Sequence, residues 1–342
     1  MKAAVFTGIK TIEMRNVEKP TARKGEIILR VRASAVCGTD IRMWANANCK
    51  LPLILGHEMA GQIDSIGEGV EGYVVGQRVA IAPNMGCGIC DECVSGRTHL
   101  CPEYRALGIN LDGAFAEFVR IPADAVRQGN VCPIDDELPY DEAAIVEPFS
   151  CVYNAFETYK VHPGDRVLII GAGPIGCMHA ILAHMAGASR VFMNDLSQSR
   201  LNECVGYLPY VTPYCGEDLR GFIMDHTRGK GVDVCITACP SAAAQEESLA
   251  LMNTFGRVCF FGGLPSAKEP VRIDTNLVHY RHLILCGTSR SSLSQYRKCL
   301  DLIGSGVISL KPIITNTFSL DETPQAFEFA AAAKGLKSVI AI

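Results

Sequence analysis

Hydrophobic and polar positions alternate in short blocks over the first third of the chain. Glu26-Ile-Ile-Leu-Arg-Val-Arg, Ala60-Gly-Gln-Ile-Asp-Ser-Ile-Gly and Gln77-Arg-Val-Ala-Ile-Ala are rich in β-branched residues and broken by Gly, Pro or Asp. That pattern predicts an antiparallel, barrel-like β domain. From about Pro148 the period changes. Apolar runs at Arg166-Val-Leu-Ile-Ile, Arg190-Val-Phe-Met-Asn, Val232-Asp-Val-Cys-Ile-Thr and Gly256-Arg-Val-Cys-Phe-Phe alternate with helical stretches. Apolar strands separated by helices imply a parallel sheet, doubly wound, with helices on both faces. Beyond Gly287 the pattern predicts a helix over 294–303, a strand near Lys311-Pro-Ile-Ile and a helix over 323–333.

Length agrees with this division, since single cores stop growing near ~250–300 residues and the chain has 342. The expected domains are 1–148 with 287–342, and 149–286 between them; the tail is too short to fold alone. Net charge is −4 with acids and bases interspersed, which leaves no basic stripe for nucleic acid. No apolar run approaches the ~20 residues of a membrane span. Met1 leads directly into Lys2-Ala-Ala-Val-Phe-Thr without a charged-then-apolar leader, so the expected location is cytoplasmic and the sixteen cysteines are expected to be reduced.

Four of those cysteines carry the sharpest local signal. Cys87-Gly-Ile-Cys90-Asp-Glu-Cys93 is followed by Cys101. Four thiolates at that spacing can surround one tetrahedral zinc ion and leave no position open, which makes a structural site rather than a reactive one. Buried thiols or two disulfides are the other readings, and the two-residue gaps favour the metal.

The run Gly171-Ala-Gly173-Pro174-Ile175-Gly176 lies between the predicted strand at 166–170 and a helix-compatible stretch. Glycines at that spacing allow a tight turn, close approach of backbone to a pyrophosphate, and close packing of helix on sheet. Asp195 follows at the end of the second strand, where a carboxylate accepts from an adenosine ribose and repels a 2′-phosphate. The expected cofactor is therefore NAD, with Arg200 a further candidate contact.

A second set of metal-binding residue types is scattered through the β-rich part: Cys37-Gly-Thr39-Asp40, Gly56-His57-Glu58 and Glu147-Pro148. Thiolate, imidazole and carboxylate suit a catalytic zinc, which keeps one position for water or substrate. Spacing alone does not bring these residues together, and each taken singly also reads as an ordinary core or loop residue.

Taken together, CGTD at 37–40, GHE at 56–58, the four-cysteine lobe, DGAFAEF at 112–118, EP at 147–148, GAGPIG at 171–176 and Asp195 make the chain resemble the zinc-dependent medium-chain alcohol and polyol dehydrogenases. The Glu147-Pro148 pair is similar to the sorbitol and threonine dehydrogenase branches. The resemblance covers nearly the full length and implies a GroES-like catalytic domain interrupted by a Rossmann domain. It implies two zinc ions per chain, the catalytic one bound by Cys37, His57 and Glu58, with Glu147 a fourth ligand or bonded to the zinc water. Thr39 becomes the first proton relay and Asp40 the residue that orients His57. Arg42 stands where the family often has a histidine that carries the proton onward.

The implied substrate is a polyol or polyol phosphate, met by Trp44, Phe115 and Arg290, with ordinary packing an equal reading for Trp44. A 3-hydroxy amino acid, oxidised as threonine 3-dehydrogenases do, is the nearest alternative, and a non-catalytic protein binding zinc and NAD is another. A homodimer or homotetramer is carried over from the family.

Overall fold

The structure is a computed structural model that describes residues 1–264 and 270–342. It divides into two units, Met1–Ser150 with Ser291–Ile342, and Cys151–Arg290. Residues 287–290, expected in the first domain, lie in the second unit.

In the second unit six strands form one wholly parallel sheet: Arg166–Ile170, Arg190–Asn194, Val211–Tyr214, Val232–Thr237, Met252–Phe260 and Ile284–Gly287. In order of appearance they lie third, second, first, fourth, fifth, sixth across the sheet. That reversal beside the first strand is the crevice where α/β sheets take their ligands. Leu168, Phe192, Cys235 and Val258 point into a core closed by helical residues such as Ile223. Their near-continuous apolar character follows from burial on both faces. The fourth apolar run was expected to begin at Gly256, but its strand starts at Met252.

The first unit is built on a seven-stranded sheet. Its centre is Ile27–Ala35, antiparallel to Glu58–Ile66, to Phe118–Ile121 and to the last strand, Lys337–Ala341. The register of these pairings gathers residues remote in sequence. Ala35 faces Glu58 on one side and Val339 on the other, so the end of one strand, the start of a second and the middle of a third meet just before Cys37. The predicted strand at 311 is displaced. Lys311–Ile313 is a single 3₁₀ turn, because Pro312 has no N–H to give a ladder, and the strand runs from Ile314 to Ser319. The last two helices span Leu293–Gly304 and Thr323–Ala331. No helix among the described residues is long and apolar enough to cross a membrane.

Candidate functional site

Cys37 follows the central strand by two residues and caps the helix Gly38–Asn46. Three residues on, Asp40 turns back: its Oδ2 accepts the Cys37 backbone N–H at 2.9 Å while its Oδ1 lies 3.4 Å from His57 Nδ1. Asp40 is fully buried, with Oδ1 facing the imidazole. One carboxylate thereby fixes both a thiol-bearing turn and an imidazole. With Nδ1 turned to Asp40, Nε2 is the nitrogen left for a metal. Gly56 sets the approach of His57: its φ of +95° is left-handed, and a side chain there would press on Ser34 and the Phe115 ring.

Donor atoms of Cys37, His57 and Glu58 all lie within 4.8 Å of one another. Burial lowers the pKa of the His57 imidazole, but the charges of Asp40 and Cys37 raise it by more, and the outcome lies well above the ordinary value. Soft, borderline and hard donors around one point, with a buried carboxylate behind the imidazole, fit a divalent zinc ion. Glu147 does not join this group. It is buried at the start of the helix Val146–Tyr159, and its carbonyl accepts from Ser150 Oγ at 2.6 Å.

Lys337 was not foreseen. Its Nζ lies 2.7 Å from each carboxylate oxygen of Glu58 and donates to the Val36 carbonyl at 3.0 Å. The signal available in the sequence is one lysine entering the apolar run of the last strand, Lys-Ser-Val-Ile-Ala.

The second cluster is local. The sulfur atoms of Cys87, Cys90, Cys93 and Cys101 all lie within 4.8 Å of one another, and Cys101 Sγ accepts the Cys87 N–H at 3.3 Å. Backbone N–H groups of Ile89 and Cys90 bring the Cys87 thiol down to about 7, and burial first of all pushes Cys93 up to about 12. The donor set is the one a closed tetrahedral zinc site uses.

In the second unit Gly171–Gly176 forms the turn from the first strand to the helix Pro174–Met185, with Gly173 as cap and Pro174 at its first position. A Cβ on Gly176 would overlap the Gly171 carbonyl oxygen, the close packing that the motif requires. Asp195 Oδ2 accepts from Ala172 N–H at 2.7 Å and Oδ1 from Ser197 N–H at 2.8 Å. Its carboxylate is therefore tied to the glycine turn. The space that a side chain at Gly173 would enter borders the Arg200 guanidinium.

The three expected substrate residues fare differently. Phe115 is 1% exposed and Trp44 9%, and both set their rings edge-on to Phe327 in the apolar core of the first unit. Both pack there against the same ring. Arg290 belongs to the second unit, with a left-handed backbone (φ 60°) and a carbonyl that accepts from Asn154 Nδ2 at 2.9 Å. Left-handed backbone is uncommon for arginine and costs energy that the surroundings must offset.

Comparison with known proteins bears on both units. Residues 23–133 match the family profile of the alcohol dehydrogenase GroES-like domain, and 174–305 that of the zinc-binding dehydrogenases. The sorbitol dehydrogenase of Bacillus subtilis is 32% identical over 96% of this chain and 93% of its own length. The L-threonine 3-dehydrogenase of Pseudoalteromonas atlantica is 34% identical over 97% and 96%. A solved zinc-binding dehydrogenase from Sinorhizobium meliloti 1021, bound to NADP, superposes with a TM-score of 0.91 at 28% identity, covering 100% of this chain and 99% of that one.

Proposed function

The chain belongs to the zinc-dependent medium-chain dehydrogenases, and from that premise we propose that it oxidises a secondary alcohol of a polyol or polyol phosphate with NAD. The convergence of Cys37, His57 and Glu58, with Asp40 behind His57, carries the reading. These three would hold the catalytic zinc, with Glu147 the fourth candidate, and the four-cysteine lobe a structural zinc. Zinc supplies Lewis-acid polarisation of an alcohol oxygen, and the dinucleotide supplies the hydride acceptor.

The remaining work falls to the chain's own groups. Asp40 holds His57 with Nδ1 turned inward. Thr39, two residues from Cys37, offers a hydroxyl for the substrate's oxygen. Asp195 favours a free 2′-hydroxyl and supports NAD over NADP, while the Gly171–Gly176 turn and the helix N-terminus after it suit a pyrophosphate. Arg290 is the proposed contact for the distal hydroxyls or phosphate. A homo-oligomer goes with this reading, to be measured by light scattering.

Oxidation of L-threonine is the second reading, favoured by the 34% identity to a threonine 3-dehydrogenase. A screen of the zinc-loaded protein with NAD⁺ against sorbitol, other polyols, their phosphates and L-threonine separates the two. Turnover of L-threonine alone replaces the first reading with the second. No turnover of any of them, with zinc bound, leaves a binding protein.

A further inference from the structure

Arg42 donates from Nη2 to Thr39 Oγ1 at 2.9 Å. The two residues lie three apart on the helix Gly38–Asn46, which puts them on one face. Asn46 Nδ2 holds the Arg42 carbonyl at 2.8 Å, and among the described residues no carboxylate pairs with the guanidinium. A cation with five donors, free of any acid, thus spends one of them on a hydroxyl two residues from Cys37.

The consequence lies in donor and acceptor counting. A threonine hydroxyl has one proton to give and two lone pairs to receive with. Arg42 occupies one lone pair and can take nothing back, since a guanidinium accepts no hydrogen bond and stays charged at any working pH. A proton on Thr39 therefore has no exit through residue 42. The contact also draws electron density from Oγ1, which makes the Thr39 O–H a stronger donor.

We propose that Arg42 is a positioning residue that converts Thr39 from a link in a proton chain into an oxyanion-stabilising donor. In oxidation, R₂CH–OH and the oxidised dinucleotide give R₂C=O, the reduced dinucleotide and H⁺. The O–H proton passes first to water rather than along the helix. Thr39 O–H donates to the oxygen left negative, with Arg42 holding it there, and the C–H electron pair then leaves as hydride as the C=O bond forms. The assignment rests on the proposed function, in which Thr39 serves the substrate oxygen.

The contact itself is read in the zinc-free protein by the ¹⁵N spectrum of labelled arginine. Thr39→Val should shift the Arg42 side-chain signals and speed their hydrogen exchange; an unchanged spectrum overturns the contact. Its role is read on the zinc-loaded enzyme with D-sorbitol, or L-threonine where the screen selects it. Arg42→Ala should lower kcat about 10- to 100-fold with KM nearly unchanged. Added guanidinium should restore part of kcat and added imidazole should not. A wild-type kcat, a loss confined to KM, or rescue by imidazole each overturns the proposal, the last because it restores a proton carrier. Where neither compound restores the rate, Arg42→Lys decides: partial recovery supports a positioned charge, and a rate no better than the alanine variant's overturns it. If Thr39→Val leaves kcat intact, the functional reading of Thr39 fails as well. If Thr39→Val is impaired and Arg42→Ala is not, only this inference fails.

Discussion

Lys337 and Glu58 form a buried ion pair, with side chains 5% and 0% exposed, across strands that begin 279 positions apart. Burial alone would discharge the lysine, but Glu58 and then Cys37 raise its pKa above the ordinary value. Glu58 is thus held by a cation from the last strand while also standing among the three candidate metal ligands. Removing the lysine strands a carboxylate in a low-dielectric site, which typically costs about 3–5 kcal/mol. Lys337→Met should lower the unfolding free energy of the zinc-free protein by roughly that much, measured by urea denaturation. Adding Glu58→Gln should recover a large part of the loss. A loss no smaller in the double variant would mean that Lys337 matters for packing and not for charge.

The two metal clusters should part company under chelation. One candidate site groups four thiols and the other three mixed donors, and a zinc held by three protein donors keeps a position for an exchanging ligand. Brief chelator treatment should remove about one zinc per chain and all turnover while far-UV circular dichroism stays unchanged; prolonged treatment should then take the second zinc together with structure. Metal analysis, activity and dichroism on the same samples decide it. Activity that outlasts the first zinc would sink the catalytic assignment of Cys37, His57 and Glu58.

What could be read from the sequence was local. The cysteine lobe and the glycine turn declare themselves because the residues that act together are close in the chain, and strands 166–170 and 232–237 are bounded where their apolar runs end. Cys37, His57 and Glu58 needed the family resemblance, since only the register of Ile27–Ala35 against Glu58–Ile66 brings them together. Lys337 was hidden for the same reason, its strand being the last to join that sheet. An aromatic side chain suits a pocket or a core equally, so sequence alone does not place Phe115 or Trp44; their edge-on contacts with Phe327, from a late helix, appear only in the structure. The Thr39–Arg42 contact was within reach of simple helix periodicity, but that the two side chains actually meet appears only in the structure.

Asp195 is the residue proposed to set cofactor choice. Its two oxygens accept from Ala172 and Ser197, which holds the carboxylate beside the glycine turn. Asp195→Ala removes an acceptor for the ribose and a charge that repels a 2′-phosphate. The ratio of kcat/KM for NAD⁺ over NADP⁺ should fall by at least about tenfold, the equivalent of ~1.4 kcal/mol. An unchanged ratio would remove Asp195 from that role.

Acid stability offers a test in the second unit. Arg166 grips Asp233 with Nε, Nη2 and its backbone N–H, each at 2.9 Å, and Asn253 Nδ2 adds a fourth bond at 2.9 Å, between neighbouring parallel strands. Burial raises the carboxyl's pKa, but these bonds lower it by more, so the folded value lies below the unfolded one. A depressed carboxylate contributes stability that is complete above its unfolded pKa, about 4, and fades as pH falls through the folded value. Asp233→Asn keeps the shape and loses the charge. It should cost about 1–2 kcal/mol at pH 7, and the gap between variant and wild type should narrow below about pH 4, where the wild-type carboxylate also takes up a proton. Urea denaturation of both proteins across that range provides the measurement. A gap constant down to pH 3 would show that the cost arises from Asn packing rather than from the charged contact with Arg166.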